Sequence, residues 1–161
     1  IYAIGNKEFQ RQMAKRLGLP AEVFCDSRKQ DAEAWLAERT GGAGADVFFE
    51  CVGRNETVAQ AVKMTAPGGR VMLVGNPASD MTLPKETYWK ILRNQLTVLG
   101  TWNSSFTHNV DDDWHYVLER LGDGKVSPAA FITHRISLEG LDRGLAVMKD
   151  KKEEYGKVMV R

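Results

Sequence analysis

The stretch "GADVFFECVGRNETVAQAVKMTAPGGRVMLVGNP", residues 44–77, decides how this chain is built. It opens on a near-continuous apolar run, "DVFFECVG". Asn55 then offers a cap to a segment in which Val58, Ala61 and Val62 recur at helical spacing. "APGG" is a turn, and "RVMLVG" is a second apolar run. A strand, a helix and a strand in that order make a right-handed crossover between parallel strands. Runs such as "VFFE" and "VMLV" are apolar on both faces, as expected of strands lying between two helical layers.

The same alternation extends both ways. Residues 1–4 are a short apolar run ending in Gly5-Asn6-Lys7, where Asn6 is a candidate helix N-cap. Phe9, Met13 and Leu17 share one face of the helix that follows, and Gly18 and Pro20 stop it. After the apolar residues 23–25, Asp26 and Ser27 offer N-cap oxygens to a helix running through Arg39 with Ala32, Trp35 and Leu36 inward. Toward the C-terminus, "KETYWKILRN" reads as a helix with Tyr88, Ile91 and Leu92 together, and "QLTVLGTW" as a strand. Asp111, Asp112 and Asp113 suit the positive end of a helix whose inner face is Trp114, Val117, Leu118 and Leu121. "FITHRI", a helix bearing Leu138, Leu141 and Leu145, and "GKVMV" close the chain. The pattern predicts a doubly wound α/β fold around a parallel sheet.

With 161 residues the chain holds one well-buried domain, and its net charge of +1 provides no field to attract nucleic acid or an anionic membrane. No apolar run approaches the ~20 residues of a membrane span. Ile1 follows no Met or charged leader, so no signal peptide is expected. The two cysteines, Cys25 and Cys51, sit in strand-like runs and read as small hydrophobes in a reducing, cytoplasmic protein. His108, His115 and His134 lack ligand spacing, and no metal is assigned to them.

In doubly wound sheets, ligands bind beyond the C-terminal ends of the strands. Those ends read Gly5-Asn6-Lys7, Cys51-Val52-Gly53, Val74-Gly75-Asn76 and Leu99-Gly100-Thr101. Any one glycine is explained by a turn. Glycine at four strand ends points to a nucleotide lying against bare backbone.

The order "AIGNK", "GADVFFECVG", "APGGRVMLVGNP", "ILRNQLTVLGTW", "ITHRISLEGLDRGLAVM" and "GKVMV" resembles the C-terminal part of the zinc-containing medium-chain alcohol and polyol dehydrogenases. Within them it is similar to the sorbitol, threonine and galactitol-1-phosphate dehydrogenase branch. The resemblance implies a Rossmann-type domain that this chain enters one βα unit late, without its Gly-rich pyrophosphate turn. Residues 1–126 would be that partial dinucleotide-binding domain, and residues 127–161 a segment returning to a catalytic domain ahead of it. The zinc ligands would lie in that domain, so no catalytic residue is expected in this chain. "GGAGAD" precedes a strand instead of following one and reads as a loop.

Position by position, Cys51, Val52 and Gly53 would lie along the adenine and ribose edge, with Arg54 a candidate at its flank. Val74, Gly75 and Asn76, with Leu99, Gly100 and Thr101, would hold the nicotinamide carboxamide. Lys157 matches a basic position that reaches the pyrophosphate. Gly5 stands where NAD-dependent relatives carry a ribose-binding carboxylate, and Asn6 and Lys7 add donors, which favours NADP(H) over NAD(H). The expected substrate is a small polyol or sugar alcohol, phosphorylated or not. The expected partner is a second copy of the chain, pairing through the edge strand between Leu96 and Trp102. A zinc-free quinone or enoyl reductase of the same superfamily, and a non-catalytic nucleotide-binding module, stay open as alternatives.

Overall fold

The computed structural model describes residues 1–104 and 112–161. Its strands and α-helices, in chain order, are β1 (Ala3–Gly5), α1 (Glu8–Arg16), β2 (Phe24–Asp26), α2 (Ala32–Arg39), β3 (Ala45–Glu50), α3 (Asn55–Met64), β4 (Thr65–Leu73), α4 (Lys85–Arg93), β5 (Thr97–Gly100), α5 (Asp113–Gly122), β6 (Ile132–Ile136), α6 (Leu141–Asp150) and β7 (Lys157–Val160). Every strand pair is parallel. This is the Rossmann-like alternation of strand and helix read from the sequence. None of the described helices is long and apolar enough to cross a membrane. Two compact units form, residues 29–103 and residues 1–28 with the described part of 104–161.

In the unit 29–103 the sheet order is β3-β4-β5. Ala61 and Val62 of α3 bury against Val71 of β4, with Phe48, Leu73, Ile91 and Leu96 packed around them. Full burial of one such valine contributes about 1.5–3 kcal/mol. The strands follow one another across the sheet, so each right-handed crossover drops its helix on the same face. The opposite face bears Val47, Phe49 and Leu99, all exposed. Helical cover on both faces, expected from the two-sided apolar runs, is therefore not met within this unit. Asp31, and not Asp26 or Ser27, caps α2, accepting from Ala34 N at 2.8 Å. The sequence Asp31-Ala32-Glu33-Ala34 places a carboxylate three residues ahead of a free helical N–H, whereas Asp26 is taken by another partner.

In the other unit β1 pairs with β2, and β6 with β7. Met13 is the buried residue of α1, while Leu17 sits in the unwinding C-cap turn and is exposed. Helix α6 buries Gly144 and Val147 and leaves Leu138, Leu141 and Leu145 exposed, reversing the expected inner face. Gly144 is the reason: without a side chain the helix settles so close to β6 that a Cβ there would strike Ile136. Helix α5 forms as read, with Asp112 as its N-cap, but Trp114, Val117 and Leu118 are exposed. Asp111 and His108 lie outside the described residues.

Candidate cofactor-binding site

Three of the predicted strand tips belong to the unit 29–103. The register pairs Glu50 with Leu73 and Leu73 with Gly100, so β3, β4 and β5 end level. Each tip is bonded to the next. Val74 N and Gly75 N donate to the Glu50 carbonyl at 2.8 and 2.9 Å, and Thr101 N donates to the Leu73 carbonyl at 3.0 Å. Cys51–Val52–Gly53 and Val74–Gly75–Asn76 are thereby brought into backbone contact. Gly53 has φ +76°, and a Cβ there would stand 2.6 Å from the Asn76 carbonyl oxygen. A Cβ at Gly75 would stand 2.5 Å from Val52 N. Main chain lies on main chain at both positions, and only glycine permits that approach. At Gly100 a Cβ would meet nothing within 4 Å. The fold itself thus demands glycine at 53 and 75, while open space lies over 100.

Beneath the first two tips lies a carboxylate to which sequence reasoning gave no role. Glu50 is 2% exposed. Its Oε1 accepts from Val52 N at 2.8 Å and Gly53 N at 2.9 Å, and its Oε2 from Gly53 N at 3.1 Å. The neighbouring Cys51 thiol is pushed above its ordinary pKa, first by desolvation and then by the Glu50 charge. It stays protonated at neutral pH and is a poor nucleophile.

The fourth tip belongs to the other unit. Gly5 pairs in register with Asp26, and Ser27 N donates to its carbonyl at 2.9 Å. A Cβ at Gly5 would stand 2.7 Å from Gln10 Oε1 and 2.8 Å from Phe24 Cζ, so packing alone already selects glycine. The N-cap of α1 is Lys7, not Asn6. The Gln10 carboxamide, three residues into the turn, reaches back to accept from Asn6 N at 2.9 Å and Lys7 N at 3.1 Å.

Lys7 and Arg28 line one open hollow with Glu8, Phe9, Gln12 and Glu154. Lys7 Nζ lies 3.5 Å from Glu154, both side chains half exposed. Arg28 is braced by buried Asp26 through Nε at 3.0 Å and a terminal nitrogen at 2.8 Å. That carboxylate holds the Arg28 pKa above its ordinary value. Arg28 was missed from sequence, although an Asp-x-Arg spacing just past a strand is a readable signal. Lys157 begins β7 in register with Ile132 and is exposed.

His134 contacts Thr133 Oγ1 at 2.9 Å and lies 3.5 Å from Glu153, and His115 bonds Asp112 at 2.8 Å. Among the described residues no three His, Cys, Asp or Glu side chains converge on a point that could hold a metal ion.

Comparison with known proteins adds an independent line. A family model described as zinc-binding dehydrogenase matches residues 1–123. An L-threonine 3-dehydrogenase of Bacillus velezensis is 29% identical over 161 residues, covering 99% of this chain and 43% of that protein. The crystal structure of 2R,3R-butanediol dehydrogenase from Bacillus subtilis superposes with a TM-score of 0.83 at 27% identity, over 100% of this chain and 43% of its own. That of galactitol-1-phosphate dehydrogenase from Escherichia coli gives 0.80 at 26% identity, over 96% of this chain and 44% of its own. The chain thus spans less than half the length of the relatives it matches.

Proposed function

Because that model covers residues 1–123, the chain belongs to the zinc-binding dehydrogenase family, and we propose that it is the coenzyme-binding portion of an NAD(P)-dependent alcohol dehydrogenase acting on a polyol or sugar alcohol, phosphorylated or free. Residues 1–126 take the part of the dinucleotide-binding domain and residues 127–161 that of a segment returning to a catalytic domain. The observation that carries this reading is the level, mutually bonded set of tips at Gly53, Gly75 and Gly100, with open space over Gly100.

When bound, the nicotinamide exchanges a hydride with the carbon bearing the alcohol. This chain's part is to hold the cofactor. The backbones of Val74, Gly75 and Asn76 and of Leu99, Gly100 and Thr101 offer fixed donors and acceptors to the carboxamide end. Cys51, Val52 and Gly53 flank the adenine and ribose edge, and Lys157 is the cation for the pyrophosphate. The described residues do not fit a zinc site, so the zinc of the family is assigned to residues outside this set. The free thiols of Cys25 and Cys51 accord with a reducing cytoplasm. A second copy of the chain is the partner proposed for β5, whose four residues are all exposed at the sheet edge.

NADP(H) is the preferred cofactor in this reading. No carboxylate stands at residue 5 itself to repel a 2′-phosphate, and the hollow beside it carries two cations, Lys7 and Arg28, alongside the carboxylates of Glu8 and Glu154. A phosphate there takes the place of Glu154 on Lys7. Lys7 is the position to test, since any side chain at Gly5 meets Gln10 and Phe24 and perturbs packing as well. In a titration of the protein at its full natural length, Lys7→Gln weakens NADPH by about tenfold, the worth of one charge-assisted contact, and leaves NADH unchanged. Tighter binding of NADH by the unaltered protein, or equal loss of both cofactors in the variant, refutes the preference.

A further inference from the structure

We infer that Glu50 is the positioning residue that locks the tips of β3 and β4 into one cofactor-facing surface, an inference that rests on the reading of those tips as the dinucleotide site. Its two ends do different work. The backbone carbonyl takes Val74 N and Gly75 N from the end of β4 at 2.8 and 2.9 Å. The carboxylate takes Val52 N and Gly53 N from the turn after β3, and the Thr57 hydroxyl of α3 at 2.7 Å. Thr57 Oγ1 in turn accepts from Arg54 N at 3.2 Å, so the whole of the turn between β3 and α3 hangs on one carboxylate. A Cβ at Gly75 would stand 2.6 Å from Glu50 Oε2, which places that carboxylate directly against the second tip.

Among the described residues no lysine or arginine pairs with Glu50. An unpaired buried charge is costly unless hydrogen bonds and dipoles replace its water. Here the replacements are the turn's own N–H groups, the Thr57 hydroxyl and the positive end of α3. Were the carboxylate removed, Val52 N and Gly53 N would lose these acceptors, whereas the Thr57 hydroxyl would keep the Arg54 carbonyl at 3.0 Å. Glutamine substitutes only in part: an oxygen at the Oε1 position keeps Val52 N, Gly53 N and the Thr57 hydroxyl, but the N–H₂ at the Oε2 position then faces the Gly53 N–H, donor to donor, in place of the 3.1 Å bond. Geometry is therefore fixed before any ligand arrives, which is what backbone recognition requires.

The test uses the protein at its full natural length, with Glu50→Gln, Thr57→Val and Thr57→Ser. Dissociation constants for NADPH and NADH are measured well below the unfolding temperature, together with amide exchange. Glu50→Gln and Thr57→Val weaken both cofactors by the same factor, about tenfold, the equivalent of one lost buried hydrogen bond to a charged group. Amides of Val52 and Gly53 exchange faster, while that of Val71 keeps its protection. Thr57→Ser, which keeps the hydroxyl, retains unaltered affinity. Should Glu50→Gln fail to fold, the Thr57 pair carries the same test. Variants that lose stability while binding both cofactors as the unaltered protein does would make Glu50 a structural cap and overturn the inference alone. An unaltered protein that binds neither dinucleotide overturns the underlying reading and this inference with it.

Discussion

Gly75→Ala and Gly100→Ala are the same chemical change at two neighbouring strand ends, and the structure predicts opposite outcomes. At residue 75 the new methyl would strike Gly53 N and stand 2.5 Å from Val52 N and 2.6 Å from Glu50 Oε2. Comfortable separations are about 3.5–4.0 Å, so the tips of β3 and β4 must part by more than about 1 Å. That movement works against the bonds from Val74 N and Gly75 N to the Glu50 carbonyl, 2.8 and 2.9 Å long. Overpacking with one weakened hydrogen bond amounts to about 2–3 kcal/mol. For a chain of this size that lowers Tm by about 4–12 °C. At residue 100 the methyl meets nothing within 4 Å. Its effect on stability stays within about 0.5 kcal/mol, or is slightly favourable through a less flexible unfolded chain. Thermal unfolding without cofactor, followed by circular dichroism, measures both. The same proteins are then titrated with NADPH. On the proposed reading, Gly100→Ala keeps its Tm and loses affinity, because the methyl occupies the open space proposed for the cofactor. If Gly75→Ala melts with the unaltered protein, or Gly100→Ala falls as far as Gly75→Ala does, the interlocked tips described above are wrong.

Two further outcomes follow from the interior of the same unit. Val62→Ala removes two methyl-sized groups from a side chain 1% exposed in the core with Ala61 and Val71, which costs about 2 kcal/mol in urea unfolding; a change below about 0.5 kcal/mol would show that the site collapses freely. Cys51 reacts with a disulfide reagent along a pH profile displaced above that of a free thiol, since burial and the Glu50 charge both disfavour its thiolate. Cys25, fully buried, contributes nothing to that reaction in the folded protein. Glu50→Gln removes the negative neighbour and moves the profile back toward lower pH. A Cys51 that titrates at or below the usual ~8.5 contradicts this environment.

Strand and helix alternation needed nothing beyond the chain, because period and punctuation are local. "DVFFECVG" became β3, and the glycine-bearing ends fell where the apolar runs stop, but "APGG", read as a turn, lies inside β4, which begins at Thr65, ahead of "RVMLVG". Capping was less legible. Asn6 and Asp26 are chemically good caps, but α1 starts with Lys7 as its N-cap and Arg28 engages the Asp26 carboxylate, and the winner among competing hydrogen bonds is a matter of reach in space. The inward faces of α2 and α3 were legible, with Ala32, Trp35 and Leu36 and with Ala61 and Val62 buried as read, but those of α5 and α6 escaped. Leu138, Leu141 and Leu145 outweigh Gly144 in any hydrophobic count, yet close approach to Ile136 turns the glycine side in.

The amino-acid order by itself thus determined the succession of elements and the glycine-bearing strand ends, which follow from residues a few positions apart, and through the strand–helix–strand alternation it implied the parallel pairing. Tertiary structure alone decided why the glycines are there. At Gly53 and Gly75 one main chain rests on another across 22 residues of sequence, and a buried Glu50 joins them. At Gly100 space is simply left open. A glycine looks the same in sequence whether its missing Cβ makes room for the protein's own backbone or for something else, and only the packed neighbours tell the two apart.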